Sequence, residues 1–196
     1  MSAAAARIGA IVLAAGASTR MGSNKLLLPV EGEAMVHRTV RRVRDAGCDP
    51  IVVVTGHDAE RVRAALAPLE VSFAQSPDPT GPTSGSLHAG LRALPADVTA
   101  TLVMLADMVE VTTPMLRALV EGVTLGAEPL GVSRYGDVLA PPLVFTRALW
   151  PELLAWHGEG CGKAVVRAHE AEARMHDWPI ESLQDVDTPE DYDAVR

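Results

Sequence analysis

Basic residues are in short supply. Lys and Arg number 17 against 25 Asp and Glu, for a formal charge of −8. No excess is left to neutralise a nucleic-acid backbone, which argues against that partner. A mononucleotide is not excluded, because it needs only a few local cations. Cysteine is scarcer still. Cys48 and Cys161 have neither metal-ligand nor redox spacing, and a reduced, cytoplasmic setting is expected. No apolar run approaches the roughly 20 residues of a membrane-spanning helix, so no membrane partner is expected. Residues 1–7 are Ala-rich but lack a signal peptide's charged start and long apolar stretch. A frayed end is expected there.

Two familiar phosphate loops are also missing. A Walker loop needs four residues between its glycines and Lys-Ser/Thr directly after the second. Here five residues separate Gly16 from Gly22, and Ser23 follows. The dinucleotide pattern G-x-G-x-x-G is absent as well.

What remains is a chain of 196 residues, 48% of them hydrophobic, enough for one domain spanning 1–196 with a full core. Ile8 to Ala14 is a short apolar run with Ile and Val, read as a buried strand. It ends in Ala-Ala-Gly-Ala-Ser, small residues that let a backbone approach a ligand closely. Arg20, Gly22 and Lys25 follow. Free amides flanked by Arg and Lys are what a polyphosphate requires, at the carboxyl edge of a parallel sheet. The competing reading is a strand followed by a solvated polar loop.

The rest of the chain alternates strand, loop and helix. Residues 34–46 read as a helix with Val36, Val40 and Val43 on one face. Its Arg38, Arg41, Arg42 and Arg44 offer either a basic surface for a phosphorylated substrate or a solvated face. Ile51 to Thr55 is a second strand, and Asp58 suits the N-cap of a helix running through Leu66. His57 reads as a surface residue.

A short strand at 71–74 leads into QSPDPTGPTSG, a loop. A helix is expected over 86–94, with Ser84, Gly85 and Ser86 at its N-terminus, either facing a ligand or capping the helix. Thr101 to Ala106 is a fourth strand with Asp107 at its end. A carboxylate there is costly without a cation, and magnesium between protein and triphosphate would supply one. Capping of a turn is the alternative.

Thr112 or Thr113 opens a further helix with Pro114 in its first turn. Short strands are expected near 130–133 and 143–145. Trp150 and Trp156 are read as core or lid. GEGCGK at 158–163 lacks a preceding strand, so no phosphate loop is assigned to it. Thr188, Pro189 and Asp191 mark a final capped helix. The whole pattern is that of a three-layer α/β/α domain with a mainly parallel sheet.

LAAGASTRMGSNKLLLPVEG resembles the signature L-A-A-G-x-S-x-R-M-G-x-x-K-x-L-L-P-x-x-G of the nucleotidyltransferases that act on the molybdenum cofactor, in particular the cytidylyltransferases. Leu105-Ala106-Asp107-Met108 resembles the family's Leu-Gly/Ala-Asp-Met-Pro, with Val109 in place of Pro. The tail Asp185-Val186-Asp187-Thr188-Pro189-Glu190-Asp191 resembles its Asp-Ile-Asp-Thr-Pro-Glu-Asp. In the loop before the third helix, Pro77, Gly81, Ser84, Ser86, Leu87, Gly90 and Leu91 fit, while Ser76 stands where the family has Asn. Glu159 and Lys163 loosely fit a segment near the second substrate.

The resemblance implies a Rossmann-like nucleotidyltransferase that moves CMP from CTP to the terminal phosphate of molybdopterin, or of the molybdenum cofactor itself. Leu13, Ala14, Ala15, Gly16, Ser18, Arg20, Met21, Gly22, Lys25, Ser84 and Ser86 would bind nucleotide. Lys25, Arg20 and Asp107 would be catalytic. Asp107 would bind magnesium, joined by Asp187 in preference to Asp185, unless that segment is only a capping turn. A molybdoenzyme receiving the product is a further partner. Three alternatives stand: a related transferase with another base or acceptor, a non-catalytic cofactor carrier, and an NAD(P)H-linked oxidoreductase.

Overall fold

The apolar runs rich in β-branched residues become the buried strands. In this computed structural model, which describes residues 6–16 and 24–195, the chain runs β1 (Ile8–Ala14), β2 (Pro29–Val30), β3 (Glu33–Ala34), α1 (Met35–Asp45), β4 (Ile51–Thr55), α2 (Ala59–Ala65), β5 (Ser72–Gln75) and α3 (Thr83–Ala93). It continues through β6 (Ala100–Leu105), α4 (Thr113–Leu125), β7 (Leu130–Tyr135), β8 (Val138–Thr146), α5 (Trp150–Ala155), α6 (Cys161–Ala168), β9 (Ala173–Trp178) and α7 (Pro189–Val195). The seven-stranded sheet has the order β5-β4-β1-β6-β8-β7-β9. Only β8 runs against the others. β2 and β3 form a separate small hairpin.

Both faces of the sheet are covered, which explains why its central strands are apolar throughout. Ala10 and Val12 of β1 pack with Val36, Val40, Leu116 and Leu119 of α1 and α4 on one side. Ile11, one residue out of phase, packs with Leu87 and Leu91 of α3, Leu153 of α5 and Val165 of α6 on the other. The result is the expected three-layer, Rossmann-like α/β/α architecture. Gly90 lets α3 lie close on β1: a Cβ there would sit 2.6 Å from Ile11 Cγ2. Among the described residues no helix is long and apolar enough to cross a membrane.

Several local expectations change. β7 and β8 form a long hairpin where only short strands were expected, with Gly136 at its turn in the left-handed region at φ 59°. Pro141 and Pro142 obscure β8 in the sequence, and the ladder shifts register between Val132 and Ser133. The edge strand β9 was not foreseen, because its short ARMHDW sequence carries the polar Arg174, His176 and Asp177. Trp150 is core, whereas Trp156 is exposed. Neither reading of the α1 arginines holds for the whole set. Arg38 is buried and pairs with Glu31, and Arg42 binds the backbone beyond β6, as described below.

Candidate active site

β1, β4 and β6 end side by side at the carboxyl edge of the sheet. The Ala106 amide donates to Leu13 O at 3.0 Å, extending the β1–β6 ladder by one step. Gly56, just past β4, lies against the chain after β1; a Cβ on it would come within 2.2 Å of Ala15 O. No side chain fits there, so Gly56 fixes the path of Ala15 and Gly16. Gln75 Nε2 donates to Gly56 O at 3.1 Å and holds that crossing from β5. Ala14 and Ala15 are buried and Gly16 is exposed. Ser18, Arg20, Met21 and Gly22 lie outside the described residues.

The chain re-enters at Asn24, whose side chain accepts from the Leu26 amide at 3.1 Å and caps a single 3-10 turn over Lys25–Leu27. That turn aims Lys25 under the sheet edge. Its ammonium nitrogen lies 2.6 Å from Asp107 Oδ2 and 2.6 Å from Asp187 Oδ1. Burial works to lower the Lys25 pKa, but the charge and hydrogen bonds of the two carboxylates outweigh it, and the pKa is raised. The ammonium is therefore firmly charged.

Asp187 arrives on the segment between the 3-10 turn at Ile180–Leu183 and α7. Val186 is fully buried, while its neighbour Asp187 meets Lys25 and Asp185 lines the cavity described below. The capped turn expected after them is present: the Thr188 amide donates to Asp191 Oδ2 at 2.8 Å, and the Asp191 amide to Thr188 Oγ1 at 3.2 Å. Tyr192 of α7 donates to Pro29 O at 2.7 Å, tying the tail to the segment that follows Lys25.

Asp107 is held from α1. Thr39 Oγ1 donates to Ala106 O at 3.0 Å, and Arg42 Nη1 donates to Val109 O at 2.5 Å and Val111 O at 2.7 Å. The clamp therefore grips the backbone on both sides of Asp107. Burial lowers the Arg42 pKa from its ordinary value, while carbonyl partners take up its donors.

α3 begins at Thr83, earlier than expected, because Pro82 stands at its N-cap. Ser84 and Ser86 thus lie inside the first turns, and both are buried. Ser84 Oγ accepts from the Gly158 amide at 3.1 Å, and Ser86 Oγ donates to Ser76 Oγ at 2.9 Å. Both serines join loops around the site rather than standing open. Asp78 orders the preceding loop by accepting from the Thr80 and Gly81 amides at 3.1 and 2.9 Å.

Asp185 faces a cavity of about 470 Å³ that reaches Leu13, Leu105 and Met108. Burial first, then the charges of Asp107 and Asp187, push its pKa up to about 6. With Lys25 opposite these three carboxylates, the described cluster carries more negative than positive charge. A divalent cation suits that imbalance. No three His, Cys, Asp or Glu side chains among the described residues are grouped to hold an ion by themselves. Magnesium commonly takes one or two carboxylates and completes its shell with substrate phosphates and water. Asp107 and Asp187 fit that donor set.

The structure thus brings Lys25, Asp107 and Asp187 together, beside Leu13 to Gly16. Sequence reasoning missed Asn24 and Thr39, and it read Arg42 as part of a basic or solvated helix face without the backbone partners found here. Gly56 could be placed at the ligand-binding edge from its position at a strand end, but not its close crossing over Ala15. Asn24 acts locally by capping the turn of Lys25, whereas Thr39 and Arg42 act through long-range contacts that no local pattern announces.

Comparison with known proteins bears on the family and the fold. Purine catabolism protein PucB of Bacillus subtilis (strain 168) is 28% identical over 198 residues, covering 95% of this chain and 94% of PucB. The crystal structure of Rv0371c from Mycobacterium tuberculosis H37Rv superposes with a TM-score of 0.84 at 29% identity, covering 97% of this chain and 98% of that one. A manganese complex of the same protein has also been solved, with a TM-score of 0.77 at 28% identity over 98% of both chains. A nucleotidyl transferase from Methanothermobacter gives a TM-score of 0.80 at 26% identity, covering 97% of this chain and 96% of that one. Residues 10–173 match the MobA-like NTP transferase domain. The chain belongs to that family of nucleotidyltransferases.

Proposed function

We propose that the chain, as a single domain spanning 1–196, transfers CMP from CTP to the terminal phosphate of molybdopterin or its molybdenum-loaded form and releases pyrophosphate. The observation that carries the reading is the Lys25 ammonium held 2.6 Å from both Asp107 and Asp187 at the carboxyl edge of the sheet. The cytidylyl and molybdopterin assignments are supported by the resemblance of LAAGASTRMGSNKLLLPVEG to the signature of the cytidylyltransferases that act on the molybdenum cofactor.

The acceptor phosphate is largely ionised near neutral pH. It needs placement and relief of charge repulsion, not a strong base. Lys25, together with Arg20, would grip the triphosphate and offset charge on the departing pyrophosphate. The Ala14 to Gly16 backbone would face base and phosphates, with Ser18, Met21, Gly22, Ser84 and Ser86 completing the nucleotide contacts. Asp107 and Asp187 would hold magnesium. The bound ion would supply charge neutralisation and a template for donor and acceptor oxygens. The manganese complex of Rv0371c supports a divalent-ion role. The reading places the work in the cytoplasm, where a free thiol such as the buried Cys48 stays reduced.

A second reading keeps the donor half and changes the acceptor. It is favoured by the likeness to a purine catabolism protein along almost the full chain. One experiment separates the two. The protein is incubated with magnesium, each of four nucleoside triphosphates and molybdopterin, and pyrophosphate is measured. Release with CTP and molybdopterin is expected. Release only with another acceptor selects the second reading. Absence of release with all triphosphates and acceptors, while molybdopterin stays bound, makes the chain a carrier.

A further inference from the structure

The cavity beside the carboxylates has one-sided chemistry. Leu87, Leu105 and Leu143 are among its mostly apolar walls, and the polar side chains lining it among the described residues are Thr83, Lys163 and Asp185. Thr83 Oγ1 already donates to Glu159 Oε2 at 3.2 Å. Asp185 is in the opposite position. Its Oδ1 is buried and has no hydrogen-bond partner among the described residues. The neighbouring Tyr135 phenol feels the charge of Asp185 but donates to Pro141 O at 3.1 Å. Lys25 is engaged with Asp107 and Asp187. A carboxylate walled in by aliphatic groups and short of donors awaits a donor from a ligand.

The wall chemistry selects among ligand classes. A sugar phosphate presents hydroxyls on every side, and each one buried without a partner opposes binding. A flat ring with in-plane N–H groups needs apolar contact on its faces and an acceptor at its edge. The cavity offers both, at a volume within the usual range for small-molecule sites.

We propose that Asp185 is the specificity-determining residue for the acceptor, receiving N–H groups from the edge of a nitrogen heteroaromatic ring seated between the aliphatic walls. Calling that ring part of the acceptor rests on the transfer reading above; its binding does not. Asp185 then differs in role from Asp187 two residues later, which belongs to the nucleotide and metal side.

The test uses the full chain with magnesium and CTP present, and pterin as the probe, followed by its own fluorescence. Pterin affinity is expected to fall about tenfold in Asp185→Asn and further in Asp185→Leu, as charged and then neutral acceptors are lost. CTP affinity and the magnesium titration stay within about twofold of wild type, and glucose 1-phosphate does not displace pterin. Unchanged pterin affinity in both variants overturns the proposal. So does a raised magnesium requirement with pterin binding intact, which makes Asp185 a metal ligand, and so does displacement by the sugar phosphate. A pyrophosphate assay on the same samples reports separately on the transfer reading. Its failure leaves the pterin result standing.

Discussion

Lys25 Nζ donates to Asp187 Oδ1 at 2.6 Å across 162 positions of sequence. This contact closes the site by joining the first loop of the chain to its tail, with Asp107 on the other side of the same ammonium at 2.6 Å. Lys25→Ala and Asp107→Ala are each expected to lower kcat/KM by about a hundredfold to a thousandfold, the usual effect of removing a group aimed at developing charge. Circular dichroism is expected to show the fold intact, because neither side chain belongs to the two apolar clusters. Normal turnover by a folded Asp107→Ala protein contradicts the assigned role.

The clamp on Asp107 gives a second expectation. Arg42 Nη1 bonds two carbonyls, Val109 O at 2.5 Å and Val111 O at 2.7 Å, and the Lys side chain, one bond shorter, does not bring its ammonium to the place of that nitrogen. Arg42→Lys is therefore expected to cost about 1–3 kcal/mol of stability. It should also raise the magnesium concentration needed for half-maximal rate, with little change in the KM for CTP. Thr39→Val, which removes the bond to Ala106 O, is expected to act in the same direction more weakly. Stability loss without a change in magnesium dependence assigns both residues to the fold alone.

Gly56 makes a third test. A Cβ within 2.2 Å of Ala15 O must move backbone, not a flexible side chain. Gly56→Ala is expected to destabilise by about 1–3 kcal/mol and to weaken CTP binding through displacement of Ala15 and Gly16. Calorimetry on the variant reads both effects. An unchanged melting temperature with full CTP affinity counts against the tight crossing.

Acid unfolding reports on the start of α1. The Arg41 hydrogen bonds lower the Glu33 pKa from 4.5 to about 2, helped by His37 and opposed by partial burial. A depressed folded-state pKa adds stability above the unfolded value, and that stability is lost as pH falls through the folded one. The wild-type advantage over Glu33→Gln is expected to be about 1 kcal/mol. It should be full above pH 4.5 and vanish toward pH 2. Urea midpoints across this range measure it. A constant difference excludes the titration of Glu33 as its cause.

Much of the architecture was legible because the central strands are buried on both faces and read as unbroken apolar runs. β1, β4 and β6 stand within a residue of where the pattern put them. Lys25 and Asp107 could be singled out because each follows a recognisable local signal, a small-residue turn and a strand end, whereas Asp187 was marked by the resemblance of the tail to the family's ending. The β7–β8 hairpin was mostly hidden by its two prolines and a register shift, and β9 by the charges on an edge strand. Arg42 was illegible for a different reason. Its position on a helix reads as a solvated face, and only the tertiary placement of the Val109 and Val111 carbonyls gives it partners.

The most direct measurement follows CTP labelled at its α-phosphorus, mixed with magnesium, molybdopterin and either wild-type protein or Asp107→Asn. The predicted result is label on the molybdopterin phosphate in equal amount to the pyrophosphate released by wild type, with both lost in the variant. Label that stays in CTP with wild-type protein, or full transfer by the folded variant, contradicts the reading.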